Sequence, residues 1–310
     1  MTTVTETPAP APAGGATDEA AAPERQTTPF LVLQFFIFPM SIVAVCVAVF
    51  VIFGLVASGP KDPRAILADV RNGGGLFNIK RWQAAYALAN ALESEEDLRR
   101  ARSDPRFVPE VVALYRETEG GAGDDLLVRR YLAVALGRLG DGRAVPELRR
   151  TVQGATSDAQ TVIYSAWALG AIGDAAAVPD LRRLAAAGDA GLRKAAVHAL
   201  GGFTAREAEA AVVAALDDSA VDVRWNAAVA LARRGDVRGV PVLLQMLDRE
   251  RLASLPELTP DQREDAMMEA VRAAAALRDA ESRTALERAR ESDPSLKVRE
   301  AARLALAARG

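Results

Sequence analysis

Beyond residue 80, apolar and polar positions alternate along the chain at the spacing of amphipathic helices. In the segment that begins at Val223, small and aliphatic side chains recur three or four residues apart, at Val223, Ala227, Ala230 and Leu231. Such a stripe predicts a helix that buries one face and exposes the other. No stretch alternates apolar and polar residues with a sustained period of two, so the pattern predicts an all-α protein without a β-sheet.

The helical pattern repeats at a nearly constant interval. Four related segments each close on an Ala-Leu pair, and successive pairs lie 33, 31 and 31 residues apart. The leucines of these pairs are Leu136, Leu169, Leu200 and Leu231, and related segments carry Leu88, Leu277 and Leu306. A short helix pair cannot bury its apolar stripe alone, so neighbouring pairs cover each other. We therefore expect an α-solenoid from residue 80 to residue 310.

Between the stripes, a glycine, an aspartate and a proline recur in the same order. The glycine follows a stripe, where a helix can end in a left-handed residue, and the aspartate after it can cap the next helix. The proline falls where the first turn of a helix tolerates it. The three sets are Gly140, Gly173 and Gly235; Asp141, Asp174 and Asp236; and Pro146, Pro179 and Pro241. Each unit is thus predicted to be a helix, a turn and a second helix.

Two of the intervals are longer than the others. Leu88 and Leu136 are 48 residues apart, and Leu231 and Leu277 are 46 apart. The second excess contains residues 248–265, and insertions in repeat arrays form loops on one face, which is often the functional face. The alternative is a solvated polar loop without a role.

The motif Val-Arg-x-x-Ala-x-x-Ala-Leu-Gly, followed by Gly-Asp and Ala-Val-Pro-x-Leu, resembles the short HEAT-like repeats named for phycobilisome lyases. These repeats fall within the armadillo-type helical repeat superfamily. The resemblance covers residues 80–310 as seven units and implies a right-handed α-solenoid of HEAT-like helix pairs.

The resemblance also implies a ladder of hydrogen bonds between successive repeats. In that family, an aspartate a few residues before the Val-Arg pair and the arginine itself form the ladder, which is a structural role. The matching residues here are Arg81, Arg129, Arg193, Arg224 and Arg299, with Asp125, Asp158, Asp189, Asp218 and Asp293. The third unit has Val162 and the sixth has Ala270 where arginine is expected, so continuity of the ladder is in question at two joints.

The two positions after the Val-Arg pair are the candidate binding surface. The resemblance places them on the second helix of each repeat, near the concave surface of the array. Aromatic and arginine side chains are common anchors of protein interfaces. The candidate partner-binding residues are Trp82, Arg130, Tyr131, Tyr164, Lys194, Trp225 and Asn226. Aromatic residues at helical spacing also fill cores, so that alternative stays open.

The amino-terminal part of the chain has a different composition. Residues 1–28 are rich in Thr, Ala, Pro and Gly and contain no aromatic residue, which predicts a disordered tail. Residues 30–57 contain no charged side chain and exceed the roughly 20 apolar residues that span a bilayer. We expect a single transmembrane helix there, kinked at Pro39, followed by a linker with a short helix at 58–79. A cleaved signal peptide is less consistent with the acidic tail and the long apolar run.

Basic residues around the predicted span set its orientation. Arg25 precedes it, whereas Lys61, Arg64 and Arg71 follow it. The positive-inside rule then places the amino terminus outside and the solenoid in the cytoplasm, so we expect a single-pass membrane protein.

The remaining composition excludes several classes of site. The net charge is −3, from 38 basic and 41 acidic residues, so no basic field favours nucleic acid. A single cysteine, Cys46, and a single histidine, His198, cannot build a Cys/His zinc site. His198 aligns with Val134, Trp167 and Val229, and we interpret it as a packing residue. No catalytic, phosphate-binding or dinucleotide-binding motif occurs, so we expect no enzyme, no cofactor and no metal.

These observations favour a membrane-tethered scaffold that recruits or regulates a protein partner, itself associated with the membrane. The alternative is a role resembling that of the chromophore lyases that share these repeats, whose modules bind a bilin and its target protein. No catalytic residue of those lyases can be assigned to a position in this chain.

Overall fold

The structure is a computed structural model that describes residues 40, 43–48, 62–73, 80–155 and 158–308. It divides into two units, residues 1–60 and 61–310. In the first unit, the described residues 40 and 43–48 are helical. None of the helices in the described ranges is long and apolar enough to span a bilayer. The tail predicted at 1–28 and most of the transmembrane helix predicted at 30–57 lie outside the described residues, so both stay predictions.

In the described part of the second unit, sixteen α-helices follow one another and no strand occurs. They are α1 (Pro63–Asn72), α2 (Arg81–Ala91), α3 (Glu95–Ser103), α4 (Phe107–Glu117), α5 (Asp124–Leu139), α6 (Val145–Arg150), α7 (Ala159–Ile172), α8 (Val178–Leu184), α9 (Ala190–Leu200), α10 (Arg206–Ala214), α11 (Val221–Arg233), α12 (Val240–Met246), α13 (Arg249–Ala253), α14 (Pro260–Ala276), α15 (Ala280–Ser292) and α16 (Leu296–Ala307). The predicted all-α class is confirmed for these residues.

The turn residues act as their spacing predicts. Gly140 and Gly173 end α5 and α7 with φ of 64° and 75°, a left-handed conformation that glycine adopts without steric cost. Three short 3-10 turns then precede α6, α8 and α12, at Gly142–Ala144, Ala175–Ala177 and Val237–Gly239. The carboxylate of the preceding aspartate accepts a backbone N–H at the start of each turn. A proline then occupies the first turn of each of the three helices.

The helices pack as seven successive pairs. The second helices of the pairs, α2, α5, α7, α9, α11, α14 and α16, contact one another in sequence order, and we call this stack the B row. The first helices, α1, α4, α6, α8, α10, α12 and α15, each contact their own second helix and form the A row. Stacking of helix pairs in sequence order is the architecture of an α-solenoid, which the repeat predicted.

The structure corrects the sequence-based boundaries at three places. Helix α1 packs its apolar face, including Ile66, Leu67 and Val70, into the core against α2, so it belongs to the array and not to a linker. The first long interval contains the extra helix α3. The second, predicted to be a loop, contains α13 and the start of α14. Asp248 caps α13 and Thr259 caps α14, so local hydrogen bonds explain why these residues are helical.

Small side chains allow the B-row helices to approach closely. A Cβ placed on Gly137 would lie 2.9 Å from Cα of Ala168, and one on Gly170 would lie 2.8 Å from Cα of Ala199. Ala166 is fully buried in the same stack. One continuous apolar cluster extends from α1 to α11, and two smaller clusters lie between α11 and α16.

Candidate functional site

The seven candidate partner-binding residues all lie on helices of the B row. Lys194 is exposed and the other six are half-buried. Tyr131 and Tyr164 pack against the large apolar cluster, and Trp225 packs against the two smaller ones. These aromatic side chains therefore contribute to the core and keep part of their surface accessible, so the two interpretations of the sequence are not exclusive.

A second set of side chains on the same helices was not selected from the sequence. Tyr86 and Trp167 are 48% and 43% exposed. The ring of Tyr86 meets Tyr131 edge to face with 5.2 Å between centroids, and Trp167 meets Tyr164 in the same way at 5.3 Å. Residues three or four apart share one helix face. The spacing from Tyr164 to Trp167 was therefore the signal that could have revealed this set.

A groove of about 590 Å³ lies on the B row between α9, α11 and α14. Helix α11 lines it with Trp225, Asn226 and Val229, and α9 lines it with Lys194. The segment between α13 and α14 adds Leu258. Three of the predicted residues are thus brought together in one groove, and the inserted segment supplies part of its wall.

Paired charges lie on either side of this groove. Lys194 Nζ is 3.3 Å from a carboxylate oxygen of Asp222, and Arg233 is 3.4 Å from a carboxylate oxygen of Glu269. His198, predicted to be a packing residue, is exposed and lines the groove. Partial loss of hydration between the groove walls lowers the pKa of His198, as do the positive charges of Arg233 and Lys194, against the opposing effect of Glu269. The imidazole is therefore mainly neutral at pH 7.

At two joints between repeats, the arginine and the aspartate that the resemblance implies do contact each other. Arg81 donates to a carboxylate oxygen of Asp125 at 3.1 Å. Arg193 donates to both carboxylate oxygens of Asp218, each at 2.8 Å. Two parallel N–H···O bonds fix the relative position of both groups, so this pair positions α9 relative to the turn before α11.

At the joint between the second and third repeats, the neighbouring arginine makes the contact. Arg130 donates to Asp158 at 2.9 and 3.2 Å. Arg129, which the resemblance placed in the ladder, is only 2% exposed, and its guanidinium lies 4.3 Å from the ring centroid of Tyr115. It donates to the carbonyl oxygen of Tyr115 at 3.0 Å and to the hydroxyl of Thr151 at 2.9 Å. Arg129 is buried where α4 packs against α5, and the sequence motif does not reveal this burial.

The two joints where arginine is absent differ from each other. At the unit with Val162, Asp189 of the next repeat accepts the backbone N–H of Leu192 in the first turn of α9. At the unit with Ala270, Arg249 of the inserted helix α13 donates to both carboxylate oxygens of Asp293, at 3.0 and 2.7 Å. The insertion thus supplies the guanidinium that its repeat lacks.

The last two ladder candidates bind backbone atoms. Arg224 donates to the carbonyl oxygen of Asp218 at 2.6 Å, and Arg299 donates to that of Asp293 at 2.6 Å. Each arginine thereby holds the turn that precedes its own helix. Across the described ranges, no group of three His, Cys, Asp or Glu side chains has the arrangement of a metal site.

Comparisons with known proteins support the repeat assignment. Residues 122–201 and 184–255 match the family model for HEAT repeats. A solved structure of human deoxyhypusine hydroxylase in complex with glycerol is 18% identical, with 83% of this chain and 98% of that chain covered and a TM-score of 0.32. A similarity this weak carries no argument about function. No curated protein matches the chain. Residues 122–255 therefore carry HEAT repeats, in agreement with the helix pairs that stack there.

Proposed function

We propose that the repeat array is a scaffold that binds a protein partner along the exposed side of the B row. The observation that carries the proposal is that three helices of the B row each present an accessible aromatic side chain. Tyr86 lies on α2, Trp167 on α7 and Trp225 on α11. Solenoids of helical repeats use such extended surfaces to bind other proteins, and aromatic side chains supply most of the contact energy at many interfaces.

We also propose that residues 30–57 tether this scaffold to a bilayer, with the array in the cytoplasm. The long uncharged run and the basic residues after it support the tether and its orientation. Retention of the full-length chain in membranes after extraction at alkaline pH, with the array accessible to protease only from the cytoplasmic side, tests both parts.

Crosslinking from the two rows tests the scaffold proposal. A photoreactive amino acid is placed at Tyr86 or Trp167 on the B row, and at Arg182 or Arg206 on the A row, in the full-length chain in its native membrane. All four side chains are exposed. We expect a discrete protein adduct from the B-row positions and little from the A-row positions. Equal yields from both rows, or no adduct from either, would contradict the proposal.

Substitutions of the most exposed aromatic residues separate binding from folding. We expect Tyr86→Ala with Trp167→Ala to weaken capture of the crosslinked partner at least tenfold, while the free energy of unfolding changes by about 1 kcal/mol or less. Tyr164 and Trp225 touch the core, so the Ala variant at both positions should lose stability as well. Val237→Ala, at an exposed apolar residue outside the B row, is the control.

Visible absorbance of the purified chain would instead favour a bilin-binding role.

A further inference from the structure

The groove on α9, α11 and α14 is chemically different from the rest of the B row. The half-buried Trp225 and Leu258 give it an apolar and aromatic surface, which the buried Val229 and Met246 complete. Its volume of about 590 Å³ is in the range of pockets that hold small ligands or a few side chains. The groove is therefore large enough for a short stretch of a partner chain and too small for a folded domain.

Both basic side chains that line the groove are paired with carboxylates. Lys194 forms an ion pair with Asp222, and Arg233 forms one with Glu269. Arg272 donates a second ionic contact to Glu269 at 2.7 Å, from outside the groove.

Two further carboxylates line the groove on the side of α14. Glu257 and Asp265 are exposed, and neither forms a close ion pair among the residues that the structure describes; Lys297, which pairs with Glu264, is the cation whose charge also acts on Asp265. The six charged groups of the lining, two basic and four acidic, sum to a formal charge of −2, and Arg272 beside Glu269 reduces the local sum to −1. Because His198 is mainly neutral at pH 7, it does not offset this charge. The groove consequently presents a negative potential beside an aromatic surface.

We infer that this groove binds an extended segment of the partner that carries an arginine or lysine next to an aliphatic side chain. The inference rests on the proposed scaffold function and specifies the chemistry of the partner. A guanidinium or ammonium group can contact the indole of Trp225 and form ion pairs with Glu257 and Asp265. The neighbouring aliphatic side chain contacts Leu258, which is half-buried. An acidic segment is disfavoured because like charges repel at close distance in a partly dehydrated groove.

Selection from a random peptide library tests this specificity without knowledge of the partner. A display library of random twelve-residue peptides is selected against the full-length chain in lipid nanodiscs, with empty nanodiscs as the counter-selection. We expect the selected peptides to be enriched in Arg or Lys adjacent to an aliphatic residue. A selected peptide should bind at least tenfold more weakly when its arginine is replaced by citrulline, which has a similar shape but no charge.

Charge reversal within the groove then locates the binding. Glu257→Lys with Asp265→Lys should weaken the selected peptide at least tenfold. Glu117→Lys with Asp124→Lys changes the net charge equally at two exposed residues outside the groove and should leave the affinity within about twofold. Circular dichroism confirms that both variants are folded. Unchanged affinity in the groove variant, equal loss in the control, selection of acidic or neutral peptides, or no selected peptide would overturn the inference.

The outcome is separable from that of the scaffold proposal. If the Tyr86 and Trp167 positions still capture a partner while the groove variant binds it as the unmodified chain does, the scaffold proposal stands and the inference about the groove is wrong. If those positions capture no partner, the scaffold proposal itself fails.

Discussion

The middle of the array and its carboxyl-terminal part solve the same packing problem in different ways. From α5 to α9, a glycine of one B-row helix lies against an alanine of the next, as Gly137 does with Ala168 and Gly170 with Ala199. The core there is one continuous cluster. In α11, Ala232 occupies the equivalent position. Beyond α11, the helix α13 is inserted and the core divides into two smaller clusters.

This contrast indicates where a repeat array acquires a distinctive surface. Close glycine-to-alanine contacts bring the backbones of neighbouring helices together. The helices then pack uniformly and leave little room for a groove between them. The insertion places additional residues beside the stack, and the groove on α11 and α14 forms there. The irregular part of a solenoid is thus where a specific binding surface is most readily built.

The ionic contacts show the same contrast. In the middle, Arg193 and Asp218 belong to consecutive repeats and follow the repeat pattern. In the carboxyl-terminal part, Arg249 comes from the insertion and reaches Asp293 of the last repeat. The first contact joins neighbouring repeats, whereas the second also fixes the inserted helix. Three predictions test whether the two regions behave differently.

The largest effect is expected from crowding the close contact in the middle. In Gly170→Val the new side chain meets Ala199, since a Cβ there would already lie 2.8 Å from its Cα and 2.9 Å from its Cβ. We expect a loss of about 3 kcal/mol in the free energy of unfolding, because backbone atoms cannot move aside as a flexible side chain can. Thermal unfolding followed by circular dichroism measures this.

Gly188→Val is the matched control for that substitution. A Cβ at Gly188 meets no atom within 4 Å. Its effect should therefore be only about 0.5 kcal/mol. Similar destabilisation by both variants would show that the close approach of α7 and α9 is not what limits the side chain at position 170.

A smaller and local effect is expected from the inserted helix. Arg249→Ala leaves the buried carboxylate of Asp293 without its guanidinium. We expect a loss of about 2 kcal/mol, below the value for a fully buried pair because Arg249 is 36% exposed and partly screened by water. Hydrogen exchange should accelerate in α13, α15 and α16 and remain unchanged in α5 and α7, since a solenoid transmits stability mainly between neighbours.

Arg251→Ala provides the comparison within the same helix. Arg251 is exposed and lies two residues from Arg249 on α13. Its removal should leave the exchange pattern of the unmodified chain. Acceleration along the whole array in Arg249→Ala would mean that the carboxyl-terminal part is not a separate unit of stability.

The smallest effect is expected from the pH dependence of the joint in the middle. The hydrogen bonds from Arg193 lower the pKa of Asp218 below its ordinary value of 3.8. Between the two pKa values, the unfolded chain binds more protons than the folded chain. The stabilisation is therefore present above the ordinary pKa and is lost as the pH falls through the folded one. The free energy of unfolding should fall less between pH 6 and pH 3 in Asp218→Asn than in the unmodified chain. Identical pH profiles would show that this carboxylate does not contribute.

The sequence alone determined the repeat, its length and its turn chemistry. The spacing of Gly140, Asp141 and Pro146 encodes how one helix ends and the next begins, because capping and backbone conformation are local properties. Periodicity of the apolar positions determined that the helices stack in order. The resemblance to HEAT-like repeats implied, for Trp225 and its aligned neighbours, which helix of each pair carries the candidate surface.

Which side chains share one environment depends on the tertiary packing. Whether Arg129 or Arg130 reaches Asp158 depends on how deeply α4 and α5 bury each guanidinium, and the two residues are adjacent in the same sequence motif. The pairing of Arg249 with Asp293 joins residues 44 positions apart. The groove requires three helices and an inserted segment to converge. Such contacts depend on the distances between elements, and a repeat pattern specifies the elements without specifying those distances.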